Sequence, residues 1–172
     1  MSRGLDTWYS LPDLDNLARR KKPLAGEIEL VRLPRLSALL GQDQGTVGAQ
    51  LRVEARTDGR LQLSLSYTAD VELTCQRCLE PLYQTLSGSV EYLLAENGSA
   101  QAEPAASSSD GIEAAVEMLQ LTGERLNPRE LIEDELLVAL PYSPRHEKKD
   151  DCGALLRTLE KLTDDTGGGL NR

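Results

Sequence analysis

Phenylalanine is absent from the 172 residues, and Trp8, Tyr9, Tyr67, Tyr83, Tyr92 and Tyr142 are the whole aromatic content. A core must therefore be built from Leu, Val, Ile and Ala. The six rings form no run, so the stacking platforms on which base-reading RNA modules rely are missing, which argues against sequence-specific base recognition. Histidine occurs once and cysteine three times. A single His, with no Gly-rich phosphate loop and no nucleophile elbow, leaves hydrolytic and nucleotide-dependent mechanisms without their parts, and no small-molecule substrate is expected. An odd number of cysteines argues against a disulfide framework. Long apolar runs and a basic, apolar leader at Met1 are also lacking, so the expected setting is cytoplasmic, with reduced thiols and no membrane.

The formal charge of −9 argues against a nucleic-acid binder until it is placed along the chain. Residues 91–135 carry eleven Asp/Glu against two Lys/Arg, whereas residues 1–40 carry five against seven. The acidity belongs to one segment. Arg19, Arg20, Lys21 and Lys22 form a compact cationic run that can neutralise phosphates and would make binding salt-dependent. A solvated helix end, where cations complement the dipole, is the plainer reading of the same run.

Periodicity outlines an α+β chain. Leu14, Leu17 and Ala18 suit a short helix from Asp13, as its N-cap, to Lys22 before Pro23. A strand is expected over Gly26–Leu33 and a second short helix from Pro34 to Leu40. Val47, Ala49, Leu51, Val53 and Ala55 alternate with polar residues, Asp58-Gly59 supplies a tight turn, and the alternation resumes from Leu61 to Cys75. So long a strand is expected to bend or bulge midway, as strands do when a sheet curls. A third strand through Leu82, Leu86, Val90, Tyr92 and Leu94 completes an antiparallel meander, curling toward a small barrel or half-barrel.

Residues 97–111, rich in Ser, Ala and Gly, read as a disordered loop. Ile112–Leu121 could add a strand through Val116 and Met118. Asn127, Pro128 and Glu130 announce a helix at about 128–140, with Ile132, Leu136 and Ala139 as its packing stripe and Glu133, Asp134 and Glu135 on a solvated N-terminal half. A short C-terminal helix is expected from Asp151 to Leu162. Residues 1–162 thus read as one domain and 163–172 as a flexible tail.

All the soft ligands fall into two clusters: Cys75-Gln76-Arg77-Cys78, and His146 with Cys152. Together Cys75, Cys78, His146 and Cys152 would make a Cys₃His site, the donor set of structural zinc. The six-residue step from His146 to Cys152 exceeds the usual spacing between ligands, and a buried pair of reduced cysteines at a strand end needs no metal, so zinc and a metal-free knuckle both stand. A CxxC thiol oxidoreductase is the rival reading. It requires a helix N-terminus at the thiols to lower their pKa, whereas period-two residues flank this pair. Arg77 lies between the cysteines, where an outward guanidinium could meet a phosphate bidentately.

Leu24-Ala25-Gly26-Glu27-Ile28, Leu33-Pro34-Arg35-Leu36, Cys75 through Pro81, the stretch Leu131 to Pro141, and Pro144-Arg145-His146 with Cys152 together resemble the bacterial YceD family. The resemblance spans about residues 10–160. It implies a non-enzymatic ribosome-biogenesis role, supporting the synthesis, processing or stability of 23S large-subunit rRNA. Partners implied are that rRNA or its precursor, or pre-ribosomal proteins, with Arg19, Arg20, Lys21, Lys22 and Arg77 as the candidate contact residues. The resemblance also favours pairing the CxxC with the His/Cys segment, because related sequences often bring Cys or His after the Leu-Pro helix. A zinc-stabilised protein-interaction module is the other alternative.

Overall fold

A computed structural model describes residues 4–95, 117–121, 125–153 and 158. The chain opens with a two-residue strand β1 (Tyr9–Ser10) and helix α1 (Leu11–Arg20). Ser10, and not Asp13, is the N-cap. Its hydroxyl accepts the Asp13 amide at 3.4 Å while the Asp13 carboxylate accepts the Ser10 amide at 3.1 Å, a reciprocal capping box that moves the helix start upstream of the first Asp. Lys21 adopts a left-handed φ of 51° and ends α1 ahead of Pro23.

Strand β2 (Leu24–Glu29) is shorter than its alternation suggested, because Leu30–Arg32 turn into a 3-10 helix that buries Leu30. Helix α2 (Pro34–Ser37) is a single turn and does not reach Leu40. Three long strands follow: β3 (Thr46–Ala55), β4 (Leu61–Thr74) and β5 (Pro81–Ala95). Gly59, at φ 82°, makes the tight reversal between β3 and β4. Of the expected bend or bulge in β4, the register shows no bulge. Its register advances one residue at a time, Leu61 to Ala69 against β3 and Gln62 to Thr74 against β5. Where β3 runs out, an isolated bridge from Gln42 to Glu72 takes its place.

Strand β6 (Glu117–Gln120) pairs with β5 in parallel, so the five-stranded sheet has the order β2-β3-β4-β5-β6 and is antiparallel except at its last edge. The sheet is open, in keeping with a curled meander that stops short of a barrel. A short strand β7 (Arg125–Leu126) pairs with β1, and helix α3 (Pro128–Ala139) follows. Asn127 caps α3 by accepting the Arg129 amide at 3.2 Å, and its own side-chain amide donates to Glu130 at 3.0 Å. Lys149–Asp151 form a 3-10 turn, and Thr158 is helical. The loop at 97–111, the beginning of the 112–121 strand, most of the expected 151–162 helix and the 163–172 tail lie outside the described residues.

One sheet face carries the core. Val47, Ala49, Leu51 and Val53 of β3 and Leu63, Leu65, Tyr67, Ala69, Val71 and Leu73 of β4 are buried, each on the parity that the alternation assigned. Leu14 and Ala18 of α1, Leu36 of α2, and Leu131, Ile132 and Leu136 of α3 close over them. Glu133 departs from its expected solvated position. It is 4% exposed, and its carboxylate accepts the backbone amides of Arg35 at 2.7 Å and Leu36 at 3.2 Å. A one-turn helix cannot satisfy its own first amides, and this carboxylate from α3 does so. The Arg35 guanidinium completes the contact, donating from Nε at 3.1 Å and Nη2 at 2.9 Å to Glu133, and from Nη1 to Asp134.

Candidate metal centre

Strand β4 delivers Cys75 to the end of the buried alternation, and the chain then turns back into β5 within six residues. The turn is tight. The Cys75 amide donates to the Glu80 carbonyl at 3.0 Å, the Leu79 amide donates to the Cys75 carbonyl at 2.8 Å, and Leu79 takes a φ of 62°. Beyond α3, Pro141 and Pro144 direct the chain back across this knuckle, where the Gln76 amide donates to the Pro144 carbonyl at 2.8 Å.

The two clusters, about seventy residues apart in sequence, meet there. One donor atom from each of Cys75, Cys78, His146 and Cys152 lies within 4.8 Å of the other three. The Nδ1 of His146 is 3.4 Å from the Cys78 sulfur and 3.6 Å from the Cys152 sulfur. Tetrahedral bonds of about 2.3 Å to sulfur and about 2.0 Å to nitrogen place such atoms roughly 3.6 Å apart, so these edges fit a zinc tetrahedron. The other ring nitrogen, Nε2, is 3.1 Å from the Pro81 carbonyl. In the tautomer that donates there, Nδ1 keeps its lone pair on the side of the sulfurs, the arrangement in which a metal-ligating His is held by an outer hydrogen bond.

Burial pushes the Cys75 thiol up, but hydrogen bonds from the backbone amides of His146, Arg77 and Cys78, and from the Cys78 side chain, outweigh it and bring the pKa to about 6. Cys78 moves the other way, raised by burial and then by the neighbouring Cys75 and Cys152 sulfurs, against the lowering hydrogen bond from the Glu80 amide. His146 is raised chiefly by its contact with Cys152. Amides arrayed around the Cys75 sulfur are what a metal-bound thiolate needs. All three cysteines are buried and form a small cluster of their own with Leu82 packed beside it.

Arg77 differs from its expected outward posture. Its side chain folds back over the returning segment and hydrogen-bonds Cys152 and two backbone carbonyls. Glu80, which the sequence did not single out, accepts the Gly153 amide at 2.8 Å, and a Cβ at position 153 would collide with its carboxylate. The pairing of Gly153 with an acidic residue near the CxxC was readable only once the return path was known.

The cationic run sits elsewhere. Arg19 and Arg20 close α1, and Lys21 and Lys22 lead into β2. Leu24 is in register with Leu51 and through it with Leu65, ten residues before Cys75. At about 3.3 Å per residue the run and the knuckle are roughly 30 Å apart along the strands. Arg19 is paired with Asp15 at 2.7 Å, while Arg20, Lys21 and Lys22 are exposed and have no ion pair among the described residues. Among the described residues, no helix is long and apolar enough to cross a membrane.

No curated protein and no solved structure matches the chain. A family model described as "Large ribosomal RNA subunit accumulation protein YceD" matches residues 63–166. That span starts inside β4, leaves the cationic run outside, and takes in all four donor residues and α3. Covering more than half of the sequence, the match shows that the chain belongs to the YceD family, whose name carries a role in accumulation of the large-subunit ribosomal RNA.

Proposed function

We propose that this protein is a cytoplasmic ribosome-biogenesis factor without a reaction of its own, supporting synthesis, processing or stability of 23S rRNA through association with RNA or a pre-ribosomal particle. The observation that carries this reading is the family match over residues 63–166. Charge distribution supports contact with a particle more than tight binding to naked RNA. The cationic run offers three side chains with no ion pair among the described residues, while the stretch from 91 to 135 is strongly acidic and would repel phosphate. That acidic stretch suits a basic ribosomal protein or fixes one orientation on RNA.

Cys75, Cys78, His146 through Nδ1, and Cys152 would hold a structural zinc. When bound, the ion supplies folding free energy by joining the β4-β5 knuckle to the segment after α3. What supports this over thiol redox chemistry is local structure. An oxidoreductase CxxC stands at a helix N-terminus, whereas this one joins two strands and its sulfurs are buried. A zinc-stabilised protein-interaction module shares the same centre and differs only in the partner.

The test is rRNA itself. Loss of the gene should lower mature 23S rRNA or cause its precursor to build up, and crosslinking in cells should recover the protein on large-subunit RNA or on pre-ribosomal proteins. Normal precursor and mature 23S rRNA would reject the assignment. Disulfide-reductase turnover that disappears in Cys75→Ser would favour the enzyme reading.

A further inference from the structure

Arg77 reaches the surroundings of both remote donors at once without being a donor of the cluster itself. Its Nε donates to the Cys152 sulfur at 3.0 Å, and its Nη2 donates to the His146 carbonyl at 3.0 Å and the Lys148 carbonyl at 2.9 Å. These two nitrogens form one edge of a rigid guanidinium plane, so a sulfur and two backbone oxygens are gripped in a fixed relation. Glu80 grips the same segment two residues along the knuckle from Cys78, through the Gly153 amide. The span from His146 to Gly153 is therefore held by side chains of the Cys75–Glu80 turn and not only by its own turn geometry.

We infer that Arg77 is a positioning residue of the metal centre: it orients Cys152 as a ligand, fixes the backbone carrying His146, and offsets the excess negative charge of three thiolates around a divalent ion. This rests on the zinc reading above. Three thiolates, a neutral imidazole and Zn²⁺ sum to one negative charge in a buried cluster, and a guanidinium hydrogen-bonded to one sulfur neutralises it. Outer-shell partners of this kind typically govern metal affinity by 10- to 100-fold. Lysine cannot substitute, since one ammonium cannot span the sulfur and both carbonyls.

The test uses the full chain loaded with Zn²⁺ or Co²⁺, as wild type, Arg77→Lys and Arg77→Gln. Competition with a chelator should show both variants holding metal roughly 10- to 100-fold more weakly. The sulfur-to-cobalt charge-transfer band should shift to lower energy in both, because a hydrogen bond to a thiolate stabilises the donor electrons and a merely structural anchor would leave the band in place. Circular dichroism on each loaded protein confirms the fold, and Arg77→Lys, which keeps charge and bulk, serves if Arg77→Gln fails to fold. Wild-type affinity with an unmoved band overturns this inference alone, and weaker binding with an unmoved band reduces Arg77 to a loop anchor and overturns it too. A wild-type chain that takes up neither ion overturns the metal reading and this inference together.

Discussion

Single carboxylates do much of the joining in this protein. Glu133 satisfies two amides of α2 and half of the Arg35 fork from a buried position. Glu133→Ala should therefore cost about 3 kcal/mol, the combined effect of stranding buried donors, while the half-exposed Arg35 contributes little of that. Glu133→Gln, which keeps an acceptor, should cost less. Urea denaturation midpoints of the two variants check the order. Glu135 plays a related part against the sheet, where it accepts the Tyr92 hydroxyl. Burial, then this hydrogen bond, raises the Tyr92 phenol well above the ordinary tyrosine range. A folded-state pKa above the unfolded one means the contribution is fully present below about pH 10 and is lost as pH rises beyond it. Tyr92→Phe should flatten the loss of stability above pH 10. Some loss should remain, because Tyr67 is raised as well, by burial and by Glu135. An unchanged alkaline unfolding curve would refute the coupling.

At the scale of elements, the alternating strands were legible because each has one buried face, and Leu63 through Leu73 kept the parity their sequence showed. The α3 start was equally legible, since Asn127 and Pro128 act locally. Apart from the α1 cap, which sits at Ser10 three residues ahead of Asp13, what the sequence did not disclose depended on distant partners. The one-turn length of α2, the burial of Glu133 and the parallel pairing of β6 are decided by chain segments remote in sequence. The four donor residues were identifiable by type, whereas the inward turn of Arg77 depends on where the chain returns after α3. If zinc joins these parts, chelation should act on this region first. Hydrogen exchange should quicken at Gln76, whose amide bonds Pro144, and at Cys152 and Gly153, with the amides of β3 and β4 unaffected. Equal protection before and after chelation would show that the knuckle holds without metal.

For the whole molecule, the separation of charged regions matters more than the net value of −9. The cationic run and the knuckle lie at opposite parts of the sheet, so one compact ligand cannot engage both, whereas an extended RNA or a particle surface can. Changing Arg19, Arg20, Lys21 and Lys22 to Gln should lower the salt slope of particle or RNA association by about 2 to 3, since Arg19 is already occupied by Asp15 and the other three cations have no ion pair among the described residues. An unaltered slope removes the run from the contact surface.

The knuckle's division between two remote stretches also has a consequence in time. Cys75 and Cys78 are made 68 to 77 residues ahead of His146 and Cys152. At roughly 5 to 20 residues per second, synthesis leaves the first two thiols without their partners for about 4 to 15 s. The β4-β5 turn can form in that interval and present half a binding site. Four-fold ligation would wait until His146 and Cys152 are made, and a nascent chain arrested before His146 would display an open dithiol.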